Sequence, residues 1–283
     1  MASVNSPIRT ILKPLLFKIL GNRFYKYAQV YGKIRDIKYR LVEEDEIELL
    51  KYFVKSGDEV LDVGSNYAYY TERLSQIVAD KGKVYAFEPI PFTHEVCRII
   101  IKKLSLKNVL LFKKGVSDKN ETVEFTVPKL SFGGISAGQA HISGRKNNLE
   151  ERDRFYSFDS EEKVKCETVR LDDLLSDKLK TLSFVKIDIE GAEYYALNGM
   201  KKIAEKFKPV ILIEIQPYFL KGFGLTNEMI LNIIKEAGYD IYYYKKDQKK
   251  LFILDKELWD SNYILIHQTQ KEKYHNIISL ERK

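Results

Sequence analysis

Three short apolar runs, each closed by an acidic residue and followed by a helical pattern, constrain the fold more than any other feature of this chain. The runs occupy residues 59–63, 83–87 and 184–187. Asp62, Glu88 and Asp188 lie at or just beyond the ends of these runs. Short apolar runs that alternate with longer helical segments predict parallel strands in an α/β protein. Carboxyl ends of such strands are where open α/β sheets bind ligands, so we expect a ligand site there.

The order of the other predicted elements supports this fold class. We expect helices over about 43–55, 69–79, 91–104, 192–204 and 227–237. Further strands are expected over about 108–116, 163–169, 209–215, 240–244 and 262–267. Residues 121–127 alternate apolar and polar side chains, which is typical of an edge or hairpin strand. The alternation predicts an α/β fold with a mostly parallel sheet and helices on both faces.

The composition is that of an ordinary globular protein. The chain has 283 residues, of which 45% are hydrophobic and 31% charged, enough for one large domain with a substantial core. Two cysteines, Cys97 and Cys166, do not indicate a disulfide scaffold, so we expect a reducing, cytoplasmic environment. We identify no signal peptide, and no apolar run approaches the roughly 18 residues that a membrane-spanning helix needs.

Positive charge is concentrated near the N-terminus. Residues 1–40 contain nine lysines and arginines and one acidic residue, Asp36, whereas the net charge of the whole chain is +7. The remainder is close to neutral, which argues against a basic nucleic-acid face on the main domain. We therefore divide the chain into a basic N-terminal extension, a main domain and a C-terminal tail. Their predicted bounds are 1–42, 43–268 and 269–283.

Apolar side chains recur at helical spacing within the extension, over residues 8–20. Pro14 and Gly21 are suited to begin and end a short helix over 14–20. The apolar face of this helix either docks on the main domain or lies on an anionic membrane surface. The second alternative predicts a peripheral contact at the inner membrane surface through residues 8–40.

Residues 128–163 differ from the rest of the main domain. They are rich in glycine and serine, then highly charged, and have little periodicity. A loop of this length inside a compact domain is usually functional or mobile. We expect an insertion that acts as a lid over a bound substrate, with Ser136 and His141 as candidate contacts.

The loop after the first predicted strand has features of a cofactor site. Gly64 allows a close backbone approach, but the residues that follow it do not complete the G-x-G-x-x-G fingerprint of dinucleotide-binding proteins. An acid in this loop, Asp62, suits a cationic ligand better than a phosphate. Glu88 lies about 20 residues further on, where an acid usually holds a ribose diol.

These motifs resemble those of the FkbM-type methyltransferases, a branch of the class I S-adenosylmethionine-dependent enzymes. The matching segments are Asp62–Asn66, Phe87–Pro89, Val116–Asp118, Arg170–Leu174 and Lys186–Glu193. The resemblance runs from about residue 60 to 216 and more loosely to 267, and the last segment is the most specific. Ala68 departs from the family, which typically has glycine there. The resemblance implies a Rossmann-like fold with a seven-stranded sheet, and S-adenosylmethionine as the cofactor.

The resemblance also implies roles for individual residues. Asp62, Gly64 and Asn66 would line the methionine part of the cofactor. Glu88 would hold the ribose hydroxyls, and Ser117 and Asp118 would lie near the adenine. Further cofactor contacts are expected from Ser65, Tyr69, Thr71, Pro89 and Asp188.

Asp188 and Glu190 have different predicted roles. On an extended segment their side chains point to opposite faces, so they are not expected to act as one acid/base pair. Asp188 is predicted to orient or deprotonate an acceptor hydroxyl, supported by Lys186 or Glu214. Glu190 is predicted to cap the next helix or to contact the substrate.

Other residues offer alternative chemistry. His94 and His141 are alternative bases, although each is more typical of a surface histidine. Asp188, Glu190 and Glu214 together contain oxygen ligands for a hard cation, but without another ligand cluster we expect no metal.

The expected function is O-methylation of a hydroxyl on a sugar, a glycan or a similar small acceptor. The basic extension would suit a lipid-linked glycan. One alternative is an RNA methyltransferase that holds phosphates with the extension, although nucleic acid is not the expected partner. Another is a non-catalytic scaffold that keeps the fold, and the absence of the glycine fingerprint argues against a nicotinamide dehydrogenase. The oligomeric state is not predicted.

Overall fold

The structure is a computed structural model that describes residues 25–130, 140–146, 158–255, 257–259 and 261–279. Two sheets organise this part of the chain, one of eight strands and one of four. The strands of the larger sheet are β1 (Glu59–Val63), β2 (Lys83–Phe87), β3 (Val109–Phe112), β8 (Phe184–Ile187), β9 (Val210–Ile215), β10 (Tyr239–Lys245), β11 (Lys250–Ile253) and β12 (Ser261–His267). Their order across the sheet is β11-β10-β12-β9-β8-β1-β2-β3.

The larger sheet is mixed. Strands β3, β2, β1, β8 and β9 run parallel to one another. Strand β12 pairs antiparallel with β9, β10 pairs antiparallel with β12, and β11 pairs antiparallel with β10. The expected α/β fold is confirmed, with one strand more than the predicted seven. The extra strand arises because the charged turn after Lys245 returns the chain at Lys250, so that β11 pairs with β10.

A second sheet lies beside the first and contains β4 (Gly115–Val116), β5 (Thr122–Leu130), β6 (His141–Ile142) and β7 (Phe158–Val169), in the order β4-β7-β5-β6. The single strand predicted over 108–116 was wrong, because the chain leaves the larger sheet after Phe112 and enters the second at Gly115. The predicted insertion over 128–163 is also shorter than expected. Its ends belong to the long β5–β7 hairpin, whose backbone pairs reach Leu130 and Phe158.

The helices predicted over 69–79, 91–104 and 227–237 are confirmed, whereas the one over 43–55 is a 3₁₀ helix followed by a single short α-helix and the one over 192–204 is divided. The helices are α1 (25–38), α2 (Leu50–Phe53), α3 (Tyr69–Val78), α4 (Pro91–Lys103), α5 (Leu171–Leu175), α6 (Glu193–Asn198), α7 (Lys201–Phe207), α8 (Pro217–Gly222) and α9 (Asn227–Glu236), with 3₁₀ turns at Asp45–Leu49 and Gln268–Tyr274. The predicted helix over 192–204 divides at Gly199. A Cβ atom there would lie 2.1 Å from the carbonyl oxygen of Ser117, so only glycine allows this approach.

Both faces of the larger sheet are covered by buried apolar side chains. Helices α5, α6, α7 and α9 pack on one face against strand residues such as Val185 and Ile213. Helices α2 and α3 pack on the other, against Val60 and Leu212. Strands buried on both sides read as continuous apolar runs, which is why the sequence pattern identified them.

The described part of the N-terminal extension docks on the main domain. Val30 and Ile37 of α1 are buried against Val96, Cys97 and Ile100 of α4. The helix predicted over 14–20 lies outside the described residues. Within the described ranges, no helix is long and apolar enough to cross a bilayer.

Candidate active site

The loops that follow β1, β2 and β8 meet at a cavity of about 140 Å³. They converge because β1 lies between β2 and β8 and runs parallel to both. The cavity is lined by Gly64, Asn66, Glu88, Pro89, Ile90, Phe125, Ala140, Asp188, Ile189, Glu190 and Glu214. Four of these residues carry carboxyl groups, so the site favours cationic or hydroxyl-bearing ligands over polyanions.

Gly64 brings the β1 loop directly against the β8 loop. Its φ is +86°, and a Cβ atom at this position would lie 1.9 Å from the carbonyl oxygen of Asp188. Glycine is therefore required for both conformation and space. The contact sets the distance between the Asn66 wall and the Asp188 wall of the cavity.

Glu88 is held in place by the backbone of two loops. Its Oε2 accepts the N–H of Asn66 at 3.1 Å, and its Oε1 accepts the N–H of Ile90 at 2.9 Å. Burial raises the pKa of Glu88 to about 8, and the two backbone hydrogen bonds offset part of that rise. Each carboxyl oxygen has a second lone pair, so Glu88 is able to accept further hydrogen bonds from a ligand in the cavity.

Asp62 lies beneath the cavity rather than on its wall. Its Oδ2 accepts the hydroxyl hydrogen of Thr71 at 2.5 Å, and its Oδ1 is a buried oxygen without a hydrogen-bond partner among the described residues. Burial raises the pKa of Asp62 to about 6, opposed chiefly by the charge of Lys186. Neither Asp62 nor Thr71 is among the residues that line the cavity, and their contacts with a ligand stay predictions.

Lys186, Asp188 and Glu214 form one network. Lys186 is 3% exposed, and its Nζ lies 2.8 Å from Oδ2 of Asp188 and 4.6 Å from the ring centre of Tyr70. Burial alone would lower the pKa of Lys186, but Asp188 and neighbouring carboxylates raise it. The lysine is therefore a fixed cation under the cavity wall, not a side chain that reaches solvent.

The pKa values of the two carboxyl groups of this network are shifted in opposite directions. Burial would raise the pKa of Asp188, but Lys186 and a hydrogen bond from Glu214 hold it below its ordinary value. Burial and the charge of Asp188 raise the pKa of Glu214 to about 10. Glu214 also accepts a hydrogen bond from Gln216 Nε2 at 2.7 Å. These opposite shifts favour an anionic Asp188 beside a protonated Glu214 at neutral pH.

The expectation that Asp188 and Glu190 face opposite ways was wrong, since both line the same cavity. Strand β8 ends at Ile187, and Glu190 has a φ of +56°. The alternation of an extended strand therefore does not continue to Glu190.

Glu193, not Glu190, holds the start of helix α6. One carboxyl oxygen of Glu193 accepts the N–H groups of Ile189 and Gly191, each at 3.1 Å. Glu193 is 2% exposed, and burial raises its pKa to about 7. The sequence signal for this role is the position of an acid in the first turn of a helix, where orphan N–H groups need acceptors.

Several predicted cofactor contacts lie elsewhere. Ser65 is buried with its hydroxyl 3.9 Å from the sulfur of Cys97, and Tyr69 donates to Asp36 of α1 at 3.4 Å. Ser117 and Asp118 line a neighbouring cavity of about 390 Å³ with residues of the second sheet. These four side chains are not on the wall of the first cavity.

The candidate substrate contacts of the insertion are only partly described. Ser136 lies outside the described residues. His141 is buried on β6, directly after Ala140, which lines the cavity. His94 lies on α4 and lines neither cavity.

Ala68 does not narrow the cavity. It has a left-handed backbone conformation, with φ +64° and ψ +26°, and its methyl group is buried in the α1–α4 contact with Tyr67 and Val96. A glycine at this position would avoid the conformational strain, which accounts for the family preference in physical terms. Alanine in place of glycine at position 68 therefore raises the energy of the local backbone, whereas its methyl group is not part of the cavity wall.

Four apolar wall residues had no sequence signal. Ile90 and Ile189 lie beyond the ends of β2 and β8, Phe125 lies on β5 of the second sheet, and Ala140 directly precedes β6 of that sheet. Only the packing of that sheet over the carboxyl edge brings the last two to the cavity. No cluster of three or more His, Cys, Asp or Glu among the described residues is arranged to hold a metal ion.

The sheet order and the acid-lined cavity at its carboxyl edge define a Rossmann-like α/β protein of the class I methyltransferase type. The sequence model of a protein family, the methyltransferase FkbM domain, matches residues 62–241 of this chain. The chain belongs to this family.

Two curated proteins are similar over much of the chain. The hexuronic acid methyltransferase AglP of Haloferax volcanii is 23% identical over 245 residues, which cover 86% of this chain and 89% of that protein. The methyltransferase sdnD of Sordaria araneosa is 24% identical over 203 residues, covering 66% and 75%. Among solved structures, the FkbM methyltransferase of Methylobacillus flagellatus aligns with a TM-score of 0.43 and 14% identity, covering 84% of this chain and 59% of that one.

Proposed function

We propose that this chain is an S-adenosylmethionine-dependent methyltransferase that acts on a hydroxyl group of a sugar, a glycan or a similar small acceptor. The observation that carries the proposal is the Lys186–Asp188–Glu214 network on the wall of the cavity that Gly64 and Glu88 also line. The cavity thus combines an ionised carboxylate, Asp188, which would contact the acceptor, with a space beside Gly64 and Glu88 for a cationic nucleoside.

The residues of the cavity fit this cofactor. Oδ1 of Asn66, a residue of the cavity wall, is a buried acceptor without a partner among the described residues, and the cofactor carries two cationic groups. Glu88 has lone pairs left for the two ribose hydroxyls after it accepts two backbone N–H groups. When bound, S-adenosylmethionine supplies an electrophilic methyl group on its sulfonium sulfur.

Asp188 has the central role on the acceptor side. As an anion it accepts a hydrogen bond from the acceptor hydroxyl, orients the oxygen lone pair, and takes the proton as the hydroxyl reacts. Lys186 keeps Asp188 ionised, and protonated Glu214 donates a hydrogen bond that fixes its orientation. Alignment of the reacting groups contributes much of the rate in such a displacement.

The acceptor side of the cavity supports a small polyhydroxylated molecule. Glu190 faces the same space as Asp188 and is able to accept a second hydroxyl hydrogen. Residues of the insertion, including Ser136 and His141, are proposed to complete this side. AglP acts on a hexuronic acid, as its name states, which is consistent with a sugar acceptor here.

A polyanionic acceptor is disfavoured by the charge of the cavity. Asp188 faces it as an anion, the raised pKa values of Glu88 and Glu214 favour the neutral forms of those two carboxyls at pH 7, and no basic residue is among its lining side chains in the described part of the chain. An RNA backbone that entered this space would be repelled by Asp188 and would meet no cation among the lining side chains.

The test is a methyl-transfer screen with purified full-length protein. Hexoses, hexuronic acids, glycolipids and RNA are each incubated with S-adenosylmethionine, and mass spectrometry detects products that gain one methyl group. We expect methylation of a sugar-containing acceptor. Asp188→Asn should abolish it, whereas Asp177→Asn, an exposed change on the loop after α5, should not.

Cofactor binding is tested separately by thermal shift, because a ligand that binds the native state raises the melting temperature. No shift with S-adenosylmethionine would favour the scaffold alternative. A shift without any methylated sugar, and with methylated RNA, would contradict the proposed acceptor but not the proposed cofactor.

A further inference from the structure

Helix α1 has a buried face and an exposed face of different character. Val30, Asp36 and Ile37 are buried, and Asp36 is the only acidic residue between 25 and 40. The exposed side chains recur at intervals of four, four and three residues, which places them on one side of the helix. They are Tyr27, Tyr31, Arg35 and Lys38. The exposed stripe is therefore purely aromatic and basic.

Helix α4 continues this surface. Nζ of Lys103 lies 3.3 Å from the hydroxyl oxygen of Tyr31 and 4.9 Å from the centre of its ring. Lys102 is the exposed neighbour of Lys103 on the last turn of α4. The two helices thus present one surface, which we name the α1–α4 face. Its residues are Tyr27, Tyr31, Arg35, Lys38, Lys102 and Lys103.

The chemistry of the α1–α4 face matches the headgroup region of a membrane. Tyr27 is 44% exposed and Tyr31 is 60% exposed. Each has an aromatic ring whose transfer out of water lowers the free energy. Tyrosine side chains are enriched where a bilayer meets water, because the ring is apolar and the hydroxyl is polar. Basic side chains beside them attract anionic headgroups.

We propose that the α1–α4 face binds the surface of an anionic phospholipid bilayer as a peripheral contact. RNA has the same phosphate chemistry, but a strand that reached from this face into the cavity would meet the carboxyl groups that line it. The membrane contact does not depend on the proposed methyl transfer, and either is able to fail without the other.

The test is vesicle flotation of the full-length protein, with phosphatidylcholine alone and with phosphatidylcholine mixed with phosphatidylglycerol. We expect binding only to the anionic vesicles, and loss of binding as salt is raised. Each cation near an anionic leaflet changes partitioning about five-fold. Lys102→Glu with Lys103→Glu should therefore lower partitioning at least about ten-fold.

A matched control is Lys201→Glu with Lys202→Glu, the same charge reversal at exposed positions of α7. Tyr27→Ala with Tyr31→Ala leaves the charge unchanged and should also weaken binding. Circular dichroism verifies that each variant folds. Equal partitioning of the α4 and α7 double variants would overturn the proposal, as would RNA binding that depends on Lys102 and Lys103 without any binding to anionic vesicles.

Discussion

Lys186 and Asp188 form an ion pair, with 2.8 Å between Nζ and Oδ2, at the point where strand β8 ends. The lysine is almost fully buried, whereas 29% of the aspartate side chain is exposed. The pair therefore links the protein interior to the cavity. The ammonium group of Lys186 is out of reach of a ligand in the cavity, whereas the carboxylate of Asp188 is open to a bound acceptor.

Removal of the Lys186 charge should impair both stability and activity. In Lys186→Met, Asp62 and Asp188 lose the cation that opposes their burial, so the pKa values of both carboxyls rise. Leaving buried charges unpaired costs about 3–5 kcal/mol. We expect a fall of about that size in the free energy of unfolding by urea, and a loss of about 100-fold in kcat/KM.

The pH profile of this variant separates chemistry from folding. In Lys186→Met, at pH values below the raised pKa of Asp188, this carboxyl is protonated and unable to accept a proton. The residual rate of the variant should therefore increase with pH across a range where the wild-type rate is flat. Lys201→Met, at an exposed position on α7, serves as the control. An unchanged profile in Lys186→Met would contradict the role assigned to the pair.

Glu88 should determine cofactor affinity. Glu88→Ala removes two hydrogen-bond acceptors for the ribose hydroxyls, together about 2–4 kcal/mol, which corresponds to about a 30- to 1000-fold increase in Kd. Isothermal titration calorimetry with S-adenosylmethionine measures this directly. The backbone N–H groups of Asn66 and Ile90 also lose their acceptor, so Glu88→Gln is needed beside it to retain the packing. Unchanged affinity in both variants would exclude Glu88 as a cofactor ligand.

Stability should decrease as pH rises from about 5 to 8. The pKa of Glu88 is about 8 and that of Glu193 about 7 in the folded protein, raised by burial from the ordinary value of 4.5. Between the unfolded and folded pKa values the folded state binds more protons, so the stabilisation is complete below pH 4.5 and is lost as pH rises through the folded pKa. Each group contributes a slope of about −1.4 kcal/mol per pH unit.

Urea unfolding of the ligand-free protein at a series of pH values measures this slope. Glu88→Gln and Glu193→Gln should each flatten it, whereas Glu205→Gln, an exposed change on α7, should leave it as it is. Stability that increases with pH over this range would show that both carboxyl groups are ionised in the folded state.

Much of the site was predictable from local sequence. Asp188 and Glu88 follow short apolar runs, and that pattern alone placed them at the carboxyl edge of a parallel sheet, where the structure has them. The orientation of Glu190 was predicted wrongly because β8 ends at Ile187, and Glu190 and Gly191 have positive φ, so the alternation of a strand does not reach Glu190.

Contacts between distant segments were not predictable. Phe125 and Ala140 reach the cavity because the second sheet packs over the first, and no periodicity within either segment encodes that packing. Ser117 likewise lines a separate cavity, and its carbonyl group packs against the backbone of Gly199, which is distant in sequence. Such contacts are set by tertiary packing, whereas an apolar run that ends in an acidic residue is a pattern within one short segment of the sequence.

Gly64 should tolerate no side chain, for a reason that is distinct from its backbone conformation. In Gly64→Ala the new Cβ atom would lie 1.9 Å from the carbonyl oxygen of Asp188, so the β1 and β8 loops must separate. Gly57 provides a matched control, because its φ of +91° is equally unfavourable for alanine but no atom lies within 4 Å of a Cβ there. Gly57→Ala should cost only the conformational strain, about 1–2 kcal/mol by urea unfolding.

Gly64→Ala should cost more than Gly57→Ala and should also weaken S-adenosylmethionine binding in calorimetry, since Asn66 and Asp188 would move apart across the cavity. Gly57 lies in the turn before β1, so its variant should bind the cofactor normally. Equal costs in the two variants would mean that the β8 loop moves aside without strain. In that case the distance between the two walls of the cavity would not be set by the contact of Gly64 with Asp188.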